Sequence, residues 1–257
     1  MTRKVRVCRF AEGRLGVKII ITDTYEEMSR AAADVIAECV AEKPDCVLGL
    51  ATGSTPIGLY ACLVEDNAAG KISFKDVQTF NLDEYRGLDP KHHQSYRYFM
   101  QDNLFDHVDI APENTHVPNG FNPDAEAACG EYEAAIEASG GLDLQLLGLG
   151  HNGHIGFNEP ADHFPVTTNC VQLTESTINA NSRLFDSVDE VPREAYTMGI
   201  GTIMKAKKIL VVANGEGKAE IVKKAFFGLV VPQVPASVLQ LHPDVTVIVD
   251  AAAGALL

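Results

Sequence analysis

The stretch that most constrains this chain is residues 142–160, Leu-Asp-Leu-Gln-Leu-Leu-Gly-Leu-Gly-His-Asn-Gly-His-Ile-Gly-Phe-Asn-Glu-Pro. Leu142, Leu144, Leu146, Leu147 and Leu149 make a short, nearly continuous apolar run, the pattern of a central strand buried on both faces of a parallel sheet. Glycines at 148, 150, 153 and 156 then prevent a regular helix and let the backbone turn sharply. His151, Asn152, His154, Asn158 and Glu159 are thereby presented at the carboxyl end of the strand, where ligands sit in open α/β sheets.

Three chemistries compete for this loop. Gly148-x-Gly150-x-x-Gly153 has the letters of a dinucleotide fingerprint, with Glu175 roughly 20 residues on. That fingerprint needs a helix to begin at once, and Pro160 and the glycines oppose one. His151, His154 and Glu159 could supply zinc ligands, but the histidine spacing is three across glycines instead of the helical four that puts a pair on one face. The third reading is general acid/base chemistry, with His154 changing charge near neutral pH and Glu159 or Asn152 orienting it.

Composition narrows the partners. The 257 residues are 46% hydrophobic and 22% charged, enough for one large core. Lys plus Arg number 21 and Asp plus Glu 35, a net charge of −14 that disfavours nucleic acid and anionic membranes as partners. A phosphorylated ligand therefore needs local positive potential. The six cysteines form no CxxC pair, no apolar run approaches the ~18 residues of a membrane span, and no signal segment follows the basic start, so a reduced, cytoplasmic protein is expected. Residues 1–16 are read as a peripheral extension and 17–257 as a single domain.

Along the chain, residues 17–22 read as the first strand, and Thr24-x-x-Glu27 as a capping box for a helix to about residue 41 with Ala31, Val35, Ile36, Cys39 and Val40 facing inward. A strand at 46–50 opens into Ala51-Thr-Gly-Ser-Thr-Pro56, where Ser54 or Thr55 caps the next helix and Pro56 fits its first turn. Backbone donors, hydroxyls and a helix dipole converge there into an anion site, although the Walker ending is absent. A third strand, 77–82, ends at Asp83-Glu84-Tyr85; adjacent carboxylates on extended backbone point opposite ways, and Asp83 is assigned to the crevice. Residues 92–105 are expected to be helical, with His93, Tyr96, Phe99 and Met100 packing, 114–119 a loop, and 123–139 a surface helix. Residues 197–201 and 208–213 are strand-like, Lys218 stands at another helix start, and 245–249 is the last strand. The alternation gives a doubly wound, Rossmann-like, mostly parallel α/β sheet with helices on both faces.

Gly150-His-Asn-Gly-His-Ile-Gly-Phe-Asn-Glu-Pro160 strongly resembles the signature loop of the glucosamine-6-phosphate deaminase family, and further motifs follow in order from about residue 17 to 250. The resemblance implies conversion of glucosamine 6-phosphate and water to fructose 6-phosphate and ammonia, without metal or organic cofactor. It implies that Asp83, in Asn-x-Asp-Glu-Tyr, moves a proton between C2 and C1, and that His154, with Asn152 and Glu159, opens the sugar ring. It places the phosphate on Thr52, Gly53, Ser54 and Thr55, with Arg183 and Lys218 as its cations.

Two departures stand out. Some family members have aspartate at Asn152, which brings no negative charge to the imidazole. Members activated by N-acetylglucosamine 6-phosphate carry a basic pair where this chain aligns Asn169 and Val171, so no such activation is expected. The family includes single chains and larger rings, so the resemblance admits a homo-oligomer. Rival readings are a lactonase or isomerase on the same fold, a non-catalytic sugar-phosphate sensor, for whose helix-turn-helix residues 1–16 offer no room, and a nicotinamide-dependent dehydrogenase.

Overall fold

The computed structural model describes residues 6–9, 16–175, 178, 182, 185 and 187–257. Its strands are β1 (Arg6–Arg9), β2 (Val17–Thr22), β3 (Val47–Leu50), β4 (Gln78–Asn81), β5 (Asp83–Tyr85) and β6 (Thr115–His116). They continue as β7 (Leu144–Gly148), β8 (Asn169–Gln172), β9 (Glu194–Thr197), β10 (Lys208–Ala213) and β11 (Val245–Asp250). Eight of them form one sheet in the order β1-β2-β11-β10-β7-β3-β4-β6, and β5-β9-β8 form a second. Every neighbour in the large sheet is parallel except β1, which runs antiparallel to β2.

The central strands are those with the most continuous apolar runs. Val47, Leu48, Leu144, Leu146, Leu147, Leu210 and Val211 are all at most 2% exposed, as strands covered on both faces require. A fully buried side chain of this size contributes about 1.5–3 kcal/mol. The last strand, β11, lies inside the sheet between β2 and β10.

The helices are α1 (Tyr25–Glu42), α2 (Ile57–Ala68), α3 (Tyr96–Asn103), α4 (Ala125–Ala138), α5 (Ile200–Ile203) and α6 (Ala219–Phe227). At the start of α1, Thr24 Oγ1 accepts from the Glu27 amide at 3.2 Å, while Glu27 reaches one residue further back than expected, to the amide of Asp23 at 3.1 Å. Its inward face is centred on Met28, Ala32, Ala33, Ile36, Cys39 and Val40, leaving Ala31 and Val35 half-buried at the margin. The path β3-α2-β4 steps one way along the sheet and β10-α6-β11 the other, so right-handed crossovers put these helices on opposite faces.

Several expectations need correction. Asp83 follows the third strand as expected but opens a strand of its own: the chain leaves the large sheet at Leu82, whose amide still bonds Leu50, and enters the small sheet, where Asp83 pairs with Thr197. Residues 114–119 are not all loop, because Thr115–His116 form the edge strand β6. Of residues 92–105 only Tyr96–Asn103 are α-helical, and after Thr197 the chain turns into α5 instead of continuing as strand. Within residues 1–16, Arg6–Arg9 form an edge strand that pairs with Lys18–Ile21 of β2.

Candidate active site

Between β3 and β7 the sheet changes direction, since the chain leaves β3 toward β4 and β7 toward β10. Such a switch point opens a crevice at the carboxyl ends of the strands. A cavity of about 350 Å³ lies there, walled by the loops after β3 and β7, by Asp83 and Tyr96, and by Lys218.

The loop after β3 has the donors of an anion site, built differently from the expectation. Pro56 is itself the N-cap of α2 and no side chain caps the helix, so neither Ser54 nor Thr55 has that task. Thr55 Oγ1 instead donates to Asn214 Oδ1 at 2.8 Å, joining this loop to the one after β10. Tyr25 holds the loop from below: its hydroxyl accepts from the Gly58 amide at 2.9 Å and donates to the Thr55 carbonyl at 3.1 Å. Among the described residues no protein acceptor takes the amide hydrogens of Gly53, Ser54 or Thr55. Lys218, the one lysine or arginine lining the cavity among the described residues, donates to the carbonyl of Leu149 at 2.6 Å, and burial pushes its pKa down.

The loop after β7 fixes a histidine tautomer. Glu159 Oε2 accepts from Asn152 Nδ2 at 2.5 Å, and a carboxylate offers only acceptors, so the amide NH₂ faces it. Asn152 Oδ1 then faces His154 Nδ1 at 2.8 Å and the His154 amide at 3.1 Å. Nδ1 must carry the hydrogen, leaving the Nε2 lone pair free to accept a proton. Glu159 Oε1 lies 3.5 Å from Nδ1, ready to face an imidazolium. The ring lies flat on Gly150, where a Cβ would stand 2.4 Å from its atoms. Gly150 is glycine for that reason, not for an unusual φ.

Asp83 has the opposite environment. It is 6% exposed and lines the cavity, and among the described residues no protein donor reaches its carboxylate. Burial first, and the neighbouring Glu84 second, push its pKa up to about 8. Glu84 points elsewhere, accepting backbone hydrogens from Tyr85, Tyr96 and Arg97. Gly156, at φ +58°, lets the loop pass close by: a Cβ there would be 2.8 Å from Thr197 Oγ1 and 3.4 Å from Asp83 Oδ2.

One cavity thus brings together Thr52, Gly53, Ser54, Thr55, Asp83, Asn152, His154 and Lys218, with Glu159 behind them through Asn152. Arg183 lies outside the described residues. His151, which the sequence presented only as a possible zinc ligand, also lines the cavity, as do Tyr96 and Phe157, which were missed as site residues. For Tyr96 the sequence showed only an aromatic in a helical stretch, and its position at the first turn of α3 decides its direction. No helix follows β7 directly, so the glycines there do not build a dinucleotide site. Among the described residues no three His, Cys, Asp or Glu side chains converge as a metal set.

Comparison with known proteins shows the family. Residues 22–248 match the family described as glucosamine-6-phosphate isomerases/6-phosphogluconolactonase. The chain belongs to this family. It is 56% identical over 241 residues to a glucosamine-6-phosphate deaminase of Thermoanaerobacter pseudethanolicus, covering 94% of this chain and 95% of that one. A deaminase of Lachnoclostridium phytofermentans is 57% identical over 232 residues, 90% of this chain and 98% of its own. The solved structure of a monomeric glucosamine-6-phosphate deaminase superposes with a TM-score of 0.90 at 46% identity, covering 95% of this chain and all of that one. A 6-phosphogluconolactonase from Trypanosoma brucei, at 20% identity and a TM-score of 0.76, shares the fold.

Proposed function

We infer that the protein is a glucosamine-6-phosphate deaminase, converting D-glucosamine 6-phosphate and water to D-fructose 6-phosphate and ammonia in amino sugar breakdown. The observation that carries the reading is the pairing, in one cavity, of a buried carboxyl that no donor among the described residues reaches and an imidazole with its Nε2 lone pair turned from Asn152. A base that must take a proton from carbon works best with a pKa near the operating pH, and Asp83 at about 8 suits this.

In this mechanism the phosphate sits on the free amides and hydroxyls of residues 52–55 with Lys218 beside it, and this remote binding orients the sugar. His154 Nε2 takes the anomeric hydroxyl proton and delivers it to the ring oxygen. The C1–O5 bond breaks and an aldehyde forms. The Asn152 oxygen and the Glu159 carboxylate hold the ring and stabilise its positive charge between the two transfers. Asp83 removes the C2 proton and returns one to C1 while the amino nitrogen gives up a proton and the C1 oxygen gains one, which turns the amino aldehyde into a fructose imine. Water adds to C2 and ammonia leaves. Each proton taken is given back, so no redox partner is needed.

The test is release of ammonia and fructose 6-phosphate from glucosamine 6-phosphate with EDTA present, for wild type and Asp83→Asn. Equimolar release, reduced about 10²- to 10⁴-fold in the variant, is expected. Binding without release would favour a sensor, and an undiminished Asp83→Asn would remove the base from the mechanism. No helix among the described residues is long and apolar enough to cross a membrane, and a small phosphorylated sugar is the partner this reading requires.

A further inference from the structure

Glu84 is a buried ionisable group that the proposed reaction does not use. It is 3% exposed and directly follows Asp83 on β5. Its carboxylate is fully engaged: Oε1 accepts from the amides of Tyr85 at 2.8 Å and Tyr96 at 3.0 Å, and Oε2 from the amide of Arg97 at 2.9 Å. The last two are the first amides of α3, donors that a helix cannot satisfy internally. Ser95 Oγ takes another, from Tyr98, at 3.0 Å. A strand carboxylate therefore shares the capping of a helix distant in sequence, and the positive end of the helix dipole favours its charge.

The same grip delivers Tyr96 to the cavity. The residue whose amide Glu84 holds is the one whose ring lines the wall with Asp83, stacked on Phe157 at 6.0 Å and tilted against Tyr85 at 4.9 Å. We propose that Glu84 is a positioning residue for the reaction: it seats Tyr96 against the substrate and fixes a negative charge beside Asp83. The proposal rests on the deaminase reading.

The division of labour within the acid pair follows from their partners. Burial disfavours both charges, but among the described residues Glu84 has three N–H donors and Asp83 none. When the pair holds one proton, Asp83 carries it. The other groups facing the pair are Tyr85 from β5, Tyr96 and Arg97 from α3, Tyr132 from α4 and, across the cavity, His151, His154 and Lys218. Arg97 spends its guanidinium on Thr115, donating to Oγ1 at 2.8 Å and to the carbonyl at 2.9 Å. Charge beside the base comes from Glu84.

Glu84→Gln separates charge from position, because the amide oxygen can keep two of the backbone bonds. The expected result is an acid limb of kcat/KM moved to lower pH by about one unit, with an alkaline plateau lowered about tenfold because the base is weaker. Carbon-13 titration of the Asp83 carboxyl in the free protein should move the same way. Glu84→Asp keeps the charge and shortens the reach, so its acid limb stays and its plateau falls. Tyr96→Phe should lower kcat/KM about tenfold with the Asp83 titration in place. A Glu84→Gln protein whose Asp83 titration and acid limb are both unmoved would overturn the charge, and wild-type kinetics in Tyr96→Phe would overturn the seating. Failure of wild type to release ammonia would sink the deaminase reading, while the carboxyl titration, which needs no substrate, would still decide the charge.

Discussion

Asp143 and Asp83 are both buried aspartates at ends of the large sheet, and the molecule treats them in opposite ways. Asp143 stands just before β7 at its amino end and is 7% exposed. It accepts from Lys207 Nζ at 2.7 Å, from Lys43 Nζ at 2.9 Å and from the Val47 amide at 2.8 Å. Burial pushes its pKa up, but these bonds outweigh burial and hold the carboxyl below the ordinary aspartate range. Asp83, at the carboxyl end, receives a neighbouring negative charge instead of donors and is raised to about 8. A saturated carboxylate ties strands together, and a starved one is left with reactivity. Burial alone distinguishes neither.

The sharpest break in that comparison is expected at Asp143. Asp143→Ala leaves Lys207 and the Val47 amide without this acceptor, while Lys43 keeps Asp45, and because both lysines are exposed it should cost about 2–3 kcal/mol in denaturant unfolding, with kcat unchanged. The sign of its pH dependence is fixed by its depressed pKa: the contribution is present above the unfolded aspartate value and is lost as pH falls through the lower folded value. A variant whose deficit stayed undiminished below the folded value would contradict this.

At the other end, Gly150→Ala should lower kcat about 10- to 100-fold with little change in melting temperature, because the added methyl displaces the His154 ring by a fraction of its width. Full activity in that variant would mean that the ring is not used where it lies. The smallest expected effect has the opposite sign. The raised pKa of Asp83 means the native state binds more protons than the unfolded chain between its unfolded value near 4 and about 8, so this carboxyl costs stability as pH rises through that window. Asp83→Asn should therefore gain about 1–2 kcal/mol at pH 9 and little at pH 4, less than the shift alone implies because the open cavity admits water. Identical melting curves for variant and wild type at pH 9 would show the carboxyl to be unperturbed.

The same contrast explains what could be read from the sequence. β3, β7, β10 and β11 were legible because strands covered on both faces carry uninterrupted apolar residues. β8 was not, because Asn169–Gln172 is a half-exposed edge strand in a small antiparallel sheet and lacks such a run. The loop around His154 was legible as chemistry, but its order was not: only the structure puts Asn152 between the imidazole and Glu159. Strand alternation says that only one of Asp83 and Glu84 can face the crevice, and the resemblance favoured Asp83, whereas the three amides that occupy Glu84 come partly from a helix 12 and 13 residues away. Contacts of that kind leave no local pattern.

The pairing of β1 with β2 also bears on how copies of this chain behave in company. β2 is Val-Lys-Ile-Ile-Ile-Thr, mostly β-branched with a single charge, the composition that recruits further strands when its ladder is open. Arg6–Arg9 cover it from Ile21 back to Lys18, and the opposite edge, β6, offers only two residues. The four-residue strand shields a sticky template within its own chain. Without that strand, β2 would be an open sheet edge.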